Sequence, residues 1–581
     1  MIENYEVAKM FDEIADLLEI KGELIFKINA YRKVSESLMV LPENLREVMK
    51  QGKLQEVPGV GKAIFEKLEE ILTTGRLTYL EKLEQEVPPS LIELLKVPDL
   101  GPKKVALFWK QAGITTLDEL ETAARAGKLR GLPGIGDKSE QRIIAGIESL
   151  NRQSKRLMLS EAWKIANRWM AFLKDLPGLE KVEAGGSLRR WKMTIGDIDL
   201  AGASKNPQDI MEAFTHHSDV RRILGQGLNK SSIEISGGIK LQLWLQPPEK
   251  FGSLIQYTTG SKDHNVRLRE LAQKKGLSLS ERGLSDTSGK ETWFAREEDL
   301  YDALGLDWIP SELREDRGEV EAALNHRLPA LIKVEDLKAD LHLHSNWSDG
   351  AQTIEEAALA ARTRGLKVIA ITDHSGGVNA HGSLTVDRLK QQRKEIDEVQ
   401  QKMGDSIRIL QGVELEILSN GDLDFSDEVL AELDLVIASL HYSLRQPREE
   451  ITGRLIKAIR NPHVDIIGHP SGRLFPDVES ADLDWEAVLA AARETNTILE
   501  INANPYRLDL DEVTVKRAAN LRIPLTINTD SHRPADLDRM VYGVSVARRA
   551  WLGSESFLST WEPEKIIKWF KTEKSLRVLP G

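Results

Sequence analysis

The sequence predicts a multidomain protein, with a helical N-terminal region followed by α/β domains. Three similar glycine-containing turns lie between helix-like runs in the first 150 residues. Strand-like and helix-like segments then mix from about 155 to 315. From residue 339 onward, seven apolar strand-like segments alternate with helical ones, which is the pattern of a parallel barrel. A chain of 581 residues is too long for one hydrophobic core, so several domains are expected.

The composition is that of a globular cytoplasmic protein. Hydrophobic residues make up 41% and charged residues 29% of the chain, and no apolar run is long enough to span a membrane. The first 18 residues form an acidic amphipathic pattern that differs from a signal peptide. The absence of cysteine excludes disulfides and thiolate metal sites and fits a reducing compartment. The net charge of −12 argues against indiscriminate polyanion binding, although local loops can still bind nucleic acid.

The three N-terminal turns have the composition of phosphate-binding corners. They are VPGVG (57–61), VPDLG (97–101) and LPGIG (132–136), and each opens a helix-like run. Glycines let backbone N–H groups at a helix N-terminus face a phosphate oxygen, and a side chain at Gly59 or Gly61 is expected to strain the turn and block the phosphate. One copy would equally fit a corner without a ligand. Three copies favour sequence-independent binding to the DNA backbone and resemble the helix-hairpin-helix motif. The candidate DNA contacts are Gly59, Gly61, Gly101, Gly134 and Gly136.

The C-terminal barrel carries polar residues where its strands end. The strand-like segments are KADLHLH, KVIAITDH, RILQGVELEI, LVIASLH, VDIIGHP, TILEINAN and PLTINTDSH. Parallel barrels build their sites at this end of the strands, so these side chains are expected to converge. The candidate metal ligands are His342, His344, Asp349, His374, Glu414, His441, His469, Asp530 and His532.

Six histidines and three carboxylates are more than one metal ion can use. They suit Zn²⁺, Mn²⁺ or Fe²⁺, and they imply two or three ions that share Glu414. Clustered divalent ions lower the pKa of a bridging water and hold the oxygens of a phosphoester. The sequence therefore predicts phosphoester hydrolysis by a metal-bound hydroxide, without a covalent intermediate.

The same residues resemble the polymerase-and-histidinol-phosphatase (PHP) domain over about 340–575. The motifs are DLHLHS, SDG, ITDH, GVE, SLH, GHP and TDSH. The resemblance implies a distorted (β/α)7 barrel with a trinuclear centre. His381 has no matching position and is left outside the ligand set. Asn504, Tyr506 and Arg507 are candidate substrate contacts, and a role as residues of the barrel rim fits them equally.

A second candidate site lies in the middle of the chain. GGSLRR (185–190) offers backbone N–H groups and a charge to phosphates, and GDID (196–199) places two carboxylates where they can bind cations. A D-x-D strand alone is often a solvated face. Together the two segments resemble the nucleotidyltransferase signature of family X DNA polymerases. That resemblance assigns Asp197 and Asp199 as catalytic metal ligands, and Gly186, Ser187, Arg190 and Gly196 as nucleotide contacts.

The segment YTTGSKDHNVRLR (257–269) supports this resemblance. Gly260 permits close approach to a nucleotide, and Asn265 and Arg269 are four residues apart and share a helix face that is predicted to point toward the base pair. Tyr257 is a further candidate nucleotide contact. An N-capped surface helix is the alternative interpretation.

The N-terminal helices resemble the lyase domain of polymerase β relatives. The matching motifs are NAYRK (29–33) and PGVG followed by EK (58–67). By motif position, Lys67 matches the lysine that forms a Schiff base with an abasic sugar, and Lys27 and Tyr31 match DNA-binding neighbours. A nucleophilic lysine needs a lowered pKa, and a lysine on a solvated face is the alternative.

The resemblance covers nearly the whole chain, in the order found in bacterial and archaeal family X polymerases. It implies DNA repair by gap filling, with Mn²⁺-dependent 3′–5′ exonuclease and abasic-site endonuclease activity. The implied cofactors are Mn²⁺ or Zn²⁺ in the PHP site and Mg²⁺ or Mn²⁺ in the polymerase-like site. The implied partners of a monomeric protein are dNTP and gapped, nicked or abasic DNA. The expected domains are a lyase-like domain (1–80), a fingers-like helix-hairpin-helix domain (81–150), a nucleotidyltransferase palm (151–250), a thumb (251–316), a linker (317–338) and the PHP domain (339–581).

One residue departs from the family pattern at a decisive place. The strand GGIKLQLWL (237–245) has Gln242 where the family motif V-D-L-R has its third catalytic carboxylate, and Trp244 replaces a basic residue. Three hypotheses follow. The protein is a polymerase and nuclease, or a nuclease whose polymerase-like half binds DNA or nucleotide without efficient synthesis, or a small-molecule phosphatase of the histidinol-phosphatase type. The helix-hairpin-helix repeats argue against the third hypothesis.

Overall fold

A computed structural model describes residues 4–39, 45–50, 52–57, 59–97, 100–154, 156–376, 383–476 and 478–579. Four structural regions follow one another along the chain: a helical bundle, a mixed sheet, a small helical and β region, and a parallel barrel. None of the helices within these ranges has the length and apolarity needed to cross a membrane.

The N-terminal region is a bundle with a single hydrophobic core that extends from Val7 to Ile147. The first helix crosses several others, and its apolar face meets α2, α5, α6 and α7. Because the predicted lyase-like and fingers-like domains share this core, they pack as one body. The helices are α1 (Asn4–Lys21), α2 (Ile25–Met39), α3 (Leu45–Lys50), α4 (Lys62–Thr74), α5 (Thr78–Glu86), α6 (Leu91–Leu94), α7 (Pro102–Ala112), α8 (Leu117–Arg125) and α9 (Asp137–Ser154).

The palm-like region is a five-stranded sheet in the order β2-β4-β7-β6-β5. The central strands β4 and β7 run parallel, and their register sets Asp199 opposite Gln242. Strand β7 alternates as predicted, since Leu241, Leu243 and Leu245 are buried while the residues between them are not. The elements are β1 (Leu157–Met158), α10 (Leu159–Lys174), β2 (Lys181–Ala184), α11 (Gly186–Arg189), β3 (Thr194–Ile195), β4 (Ile198–Ala203), α12 (Pro207–Thr215), β5 (Val220–Gly225), β6 (Lys230–Ile235) and β7 (Ile239–Gln246).

The thumb-like region packs helices against a small antiparallel sheet. The predicted linker is partly folded into it, because Val320 and Ala323 of α16 are buried in its core and Glu319 bonds to the buried His264 across 2.6 Å. The elements are α13 (Phe251–Thr259), α14 (Lys262–Lys274), β8 (Ser278–Ser280), β9 (Gly283–Ser285), β10 (Glu291–Thr292), α15 (Glu297–Ala303) and α16 (Glu319–Leu324).

The C-terminal region is the predicted seven-stranded parallel barrel, with its strands in sequence order. The barrel is nearly closed, since Leu343 and Ser531 form a parallel bridge at the ends of the first and last strands, and His344 N donates to Ser531 O over 2.8 Å. The elements are β11 (Ala339–Leu343), α17 (Ile354–Thr363), β12 (Val368–Ile371), α18 (Val386–Met403), β13 (Arg408–Glu416), α19 (Asp427–Leu430), β14 (Leu435–Ser439), α20 (Arg448–Arg460), β15 (Ile466–Gly468), α21 (Trp485–Thr495), β16 (Ile498–Asn502), α22 (Glu512–Asn520), β17 (Leu525–Asn528), α23 (Met540–Arg549) and α24 (Pro563–Lys571).

Helix α23 of the barrel docks against the palm and thumb. The buried Arg549 at its end donates to Glu315, to Glu512 and to the carbonyl of Arg190. The rings of Trp191 and Tyr542 meet edge to face with centroids 6.1 Å apart. The predicted phosphate-binding turn of the palm is therefore in direct contact with the barrel.

Candidate active sites

The barrel brings the nine predicted metal ligands together at the carboxyl end of its strands. The pleat explains the convergence, because alternate residues such as His342 and His344 face the same side and the strand ends lie side by side. Donor atoms within 4.8 Å of one another form three groups. The groups are His344, Asp349, His374 and His532, then His342, His344 and Asp530, and finally His374, Glu414 and His441.

Glu414 lies at the centre of the cluster. Its Oε2 is 3.2 Å from His342 Nε2 and 3.1 Å from His374 Nδ1. Its Oε1 is 2.9 Å from His469 Nε2 and 3.4 Å from His441 Nε2. This arrangement supports the prediction that Glu414 is shared between ions.

The chemistry of the cluster fits bound metal ions. Within the described residues, Nε2 of His342, both ring nitrogens of His344, Nδ1 of His374 and Oε2 of Glu414 are buried without a hydrogen-bond partner. Buried polar atoms are normally satisfied, so these atoms suit a cation. Burial lowers the pKa of His374 to about 3 and that of His469 to about 4, which favours their neutral form. The neighbouring carboxylates act in the opposite direction on three other histidines: they raise the pKa of His342 and bring those of His441 and His532 to about 9.

Two buried glutamates that the sequence prediction missed support the histidines. Glu500 Oε1 bonds to His342 Nδ1 at 2.8 Å, and Glu416 Oε2 bonds to His441 Nδ1 at 2.6 Å. Such contacts fix the ring orientation and leave Nε2 for a metal. Glu416 could have been found in the sequence, because it follows Glu414 by two residues on one strand. Glu500 lies on β16, which contributes none of the nine predicted ligands.

The loop after β16 brings a cation to the edge of the cluster. Arg507 Nε lies 3.4 Å from Asp530 Oδ2, whereas the side chain of Asn504 turns back to accept from Tyr506 N. Tyr506 O accepts from Phe475 N. Arg507 therefore contacts the cluster through its side chain, whereas the bond given for Tyr506 is made by its backbone carbonyl. His381 lies outside the described residues.

The palm places its two aspartates beside Gln242. The Gln242 amide donates from Nε2 to Asp197 Oδ2 over 2.7 Å, so it occupies the position expected for a third carboxylate. Burial, together with the neighbouring Asp197, raises the pKa of Asp199 to about 7. Lys230, which was not anticipated, lies over the Trp244 ring at 4.1 Å and contributes positive charge near Asp199.

The predicted phosphate-binding turn is tightly built around Asp199. Gly186 has φ of +58°, and a Cβ there would lie 2.2 Å from Asp199 Oδ2, so only glycine fits. Ser187 is half-buried in the same turn, and Gly196 is exposed before β4. Arg190 was expected to offer its charge to a phosphate, but it is paired within the protein. Its Nε donates to Glu315 Oε1 at 3.1 Å, and it also contacts the carbonyl of Thr259.

Asn265, predicted to face the base pair, is half-buried on α14. Its amide accepts from Gln256 and donates to Tyr257 O, both at 2.8 Å, and so ties α14 to α13. Arg269 is exposed on α14. Gly260 has φ of +65° and lies close to Arg190. The spacing of residues along α14 does not reveal that Asn265 is bonded to residues of α13.

The lyase-like residues form a cluster with one unpredicted member. The Lys67 ammonium lies 4.7 Å from the centroid of Tyr79, and Tyr79 stacks on the buried Tyr31 at 5.9 Å. Burial lowers the pKa of Lys67, and the nearby Lys27 lowers it further. A lowered pKa is what a nucleophilic amine needs, so the surroundings of Lys67 are compatible with the predicted role.

The glycines of the hairpin turns differ in whether a side chain would fit at their positions. Gly59 has φ of +88°, and a side chain would be strained there. The expectation of strain at Gly61 is wrong, since Gly61 is extended at φ −82° and its Cβ would meet no atom within 4 Å. Open space at Gly61, Gly101 and Gly136 leaves room for a phosphate at the start of α4, α7 and α9.

Comparison with known proteins identifies the same regions. Family models match a helix-hairpin-helix domain (2–77), a SAM-like helix-hairpin-helix tandem (91–149), the DNA polymerase beta thumb (254–315) and the PHP domain (340–504). A probable phosphatase of Thermoanaerobacter sp. is 33% identical over 250 residues, which cover 41% of this chain and 96% of that protein. The DNA polymerase/3′-5′ exonuclease PolX of Bacillus subtilis is 37% identical over 557 residues, which cover 95% of this chain and 97% of that protein. The chain therefore belongs to the PolX family of DNA polymerase/3′-5′ exonucleases.

Proposed function

We propose that this protein is a DNA-repair nuclease whose PHP site removes nucleotides from 3′ ends and cleaves at abasic sites with Mn²⁺ or Zn²⁺. The polymerase-like half binds dNTP and gapped, nicked or abasic DNA, but it extends primers weakly. The observation that carries the proposal is the contrast between the two sites. Eight of the nine candidate ligands fall into the three groups in the barrel and the ninth, His469, lies 2.9 Å from Glu414, whereas the palm has an amide in place of its third carboxylate.

In the barrel, the three groups of ligands would each hold one divalent ion. When bound, these ions would supply an activated water and neutralise the phosphate. Glu500 and Glu416 orient two of the histidines.

In the palm, Asp197 and Asp199 would hold Mg²⁺ or Mn²⁺ on the nucleotide side, where a triphosphate adds oxygen ligands. Gln242 is neutral, so it binds a second cation poorly and cannot accept the proton of a primer hydroxyl. The amide also satisfies Asp197 by a hydrogen bond, which favours a site without the second cation.

At the N-terminus, Lys67 would attack the sugar of an abasic site. Its lowered pKa and its position over the ring of Tyr79 support this assignment. The hairpin turns would hold the flanking DNA backbone, and the protein would act as a monomer.

The test is a combined assay on DNA with a one-nucleotide gap and a 5′-labelled primer, with Mg²⁺ or Mn²⁺ in separate reactions. We expect the primer to shorten with Mn²⁺ and to extend slowly or not at all. A parallel reaction with a phosphate monoester tests the alternative of a small-molecule phosphatase. The similarity to a probable phosphatase is the reason for including it. Rapid hydrolysis of the monoester with intact DNA would contradict the proposal.

A further inference from the structure

The side chain of Arg507 is placed unusually for a buried arginine. It is 13% exposed, and its Nε is buried without a hydrogen-bond partner in the part of the chain that the structure describes. Its one recorded side-chain hydrogen bond runs from Nη1 to the carbonyl of Arg473, at 3.3 Å. A guanidinium has five N–H donors, so most of its bonding capacity is unused by the protein.

The charges around Arg507 do not account for it. The nearest carboxylate, Asp530 at 3.4 Å, also faces His344 at 3.2 Å and belongs to the candidate ligand cluster. Asp509 is a second nearby carboxylate, but it interacts more strongly with Arg473 than with Arg507, and its Oδ2 accepts from the backbone and hydroxyl of Ser471. A cation next to a cluster that would hold divalent cations is unfavourable unless an anion binds there.

The backbone that carries Arg507 is fixed from both sides. Arg507 N and Leu508 N both donate to Asn504 O over 2.8 Å. The buried Arg473 donates from Nε to the carbonyl of Arg507 over 2.7 Å and also contacts the carbonyl of Leu508. A fixed backbone restricts the positions that the side chain can reach, so less freedom is lost when it binds a ligand.

We propose that Arg507 binds the phosphate of the substrate at the edge of the PHP cluster. The inference rests on the proposed function and names the residue that recognises the scissile phosphate. Arginine suits this role because its planar fork matches two phosphate oxygens at once, and because it stays charged at any working pH. Asp530 would hold the guanidinium beside the cluster until the phosphate arrives.

The experiment uses the full chain with Arg507→Met, which removes the charge at similar size, and Arg507→Lys, which keeps the charge without the fork. Arg460→Ala is the control, since Arg460 pairs with Glu494 on the surface just before β15, at the opposite end of the barrel. Three quantities are measured: Mn²⁺ affinity, the affinity of the Mn²⁺-loaded protein for inorganic phosphate by calorimetry, and kcat/KM for DNA cleavage.

We expect Arg507→Met to weaken phosphate binding about 10- to 100-fold, the range of one hydrogen-bonded charge. We expect kcat/KM to fall by about 10²–10³. Mn²⁺ should bind as tightly as in the wild type or more tightly, because a neighbouring cation is gone. Arg507→Lys should recover part of both losses, and Arg460→Ala should change neither.

Two results would overturn the inference. Unchanged phosphate affinity in Arg507→Met shows that phosphate is held elsewhere. A loss of Mn²⁺ affinity as large as the loss of phosphate affinity shows that Arg507 supports Asp530 instead. If the wild type binds phosphate through Arg507 but leaves DNA intact, the proposed nuclease function fails while the phosphate site stands.

Discussion

Replacing Gln242 by an acid tests whether the missing third carboxylate limits synthesis in the palm. Gln242→Asp restores the family residue, and Gln242→Glu keeps the length of the side chain. Either change replaces the N–H that Asp197 accepts over 2.7 Å, a bond of about 1.5–3 kcal/mol when one partner is charged. Two carboxylates with charge centres about 4 Å apart also repel by at most about 4 kcal/mol at an effective dielectric constant of 20.

The repulsion predicts a dependence on divalent cations that the wild type lacks. In EDTA both variants should unfold at a lower temperature than the wild type, and Mg²⁺ or Mn²⁺ should abolish this difference, because the cation cancels the added charge. With the second cation held, Gln242→Asp should raise the rate of single-nucleotide gap filling by about 10²–10³. Lys240 and Trp244 flank Gln242 on the same face of β7, and crowding by them would reduce the gain.

The measurement is gap filling at saturating dNTP, in a background of His342→Ala and His344→Ala so that degradation cannot mask synthesis. Wild-type extension at about 1 s⁻¹ or faster, within the usual range for enzymes, would refute the reasoning, because it shows that Gln242 is tolerated. A stabilising effect of either acidic variant in EDTA would contradict the charge argument.

Three further predictions follow from the other sites. Lys67→Ala should abolish the borohydride trapping of the protein on abasic DNA and leave DNA affinity unchanged. The control Lys62→Ala, on the exposed side of the same helix, should still be trapped. Equal trapping of both variants would contradict the assignment. Gly61→Ala should weaken DNA binding and reduce its salt dependence without changing the Tm. Gly59→Ala should also lower the Tm, because residue 59 has a positive φ. Unchanged DNA binding by a folded Gly61→Ala variant would count against phosphate contact at this turn. Glu416→Ala should weaken Mn²⁺ binding about 10- to 100-fold by freeing the ring of His441, as measured by calorimetry, and full affinity would show that the contact is incidental.

The parts of the structure that could be predicted depend on short-range periodicity. Alternation along residues 239–245 fixed which face of β7 is buried, and strands followed by helices identified the parallel barrel. The ligand cluster was predictable because strand ends in a parallel barrel meet in space whatever their separation in sequence. His342 and Asp530, 188 positions apart, could be grouped for this reason alone.

The rest depends on partners that no local pattern reveals. Asn265 and Arg190 have the right spacing for a nucleotide site, but Gln256 and Glu315 engage them within the protein. Glu500 supports His342 from a strand without a ligand of its own. Such contacts are set by packing between elements, so the sequence identified the candidates without their pairing.

The central claim is that the PHP cluster is a metal-dependent nuclease site. The most direct measurement follows a 5′-labelled primer on gapped DNA with Mn²⁺ for the wild type, for His342→Ala with His344→Ala, and for His326→Ala as a control. His326 is an exposed histidine outside the cluster. The account predicts stepwise shortening by the wild type and the control, no shortening by the double variant or in EDTA, and equal DNA affinity for all three proteins. Degradation by the double variant at the wild-type rate would contradict it.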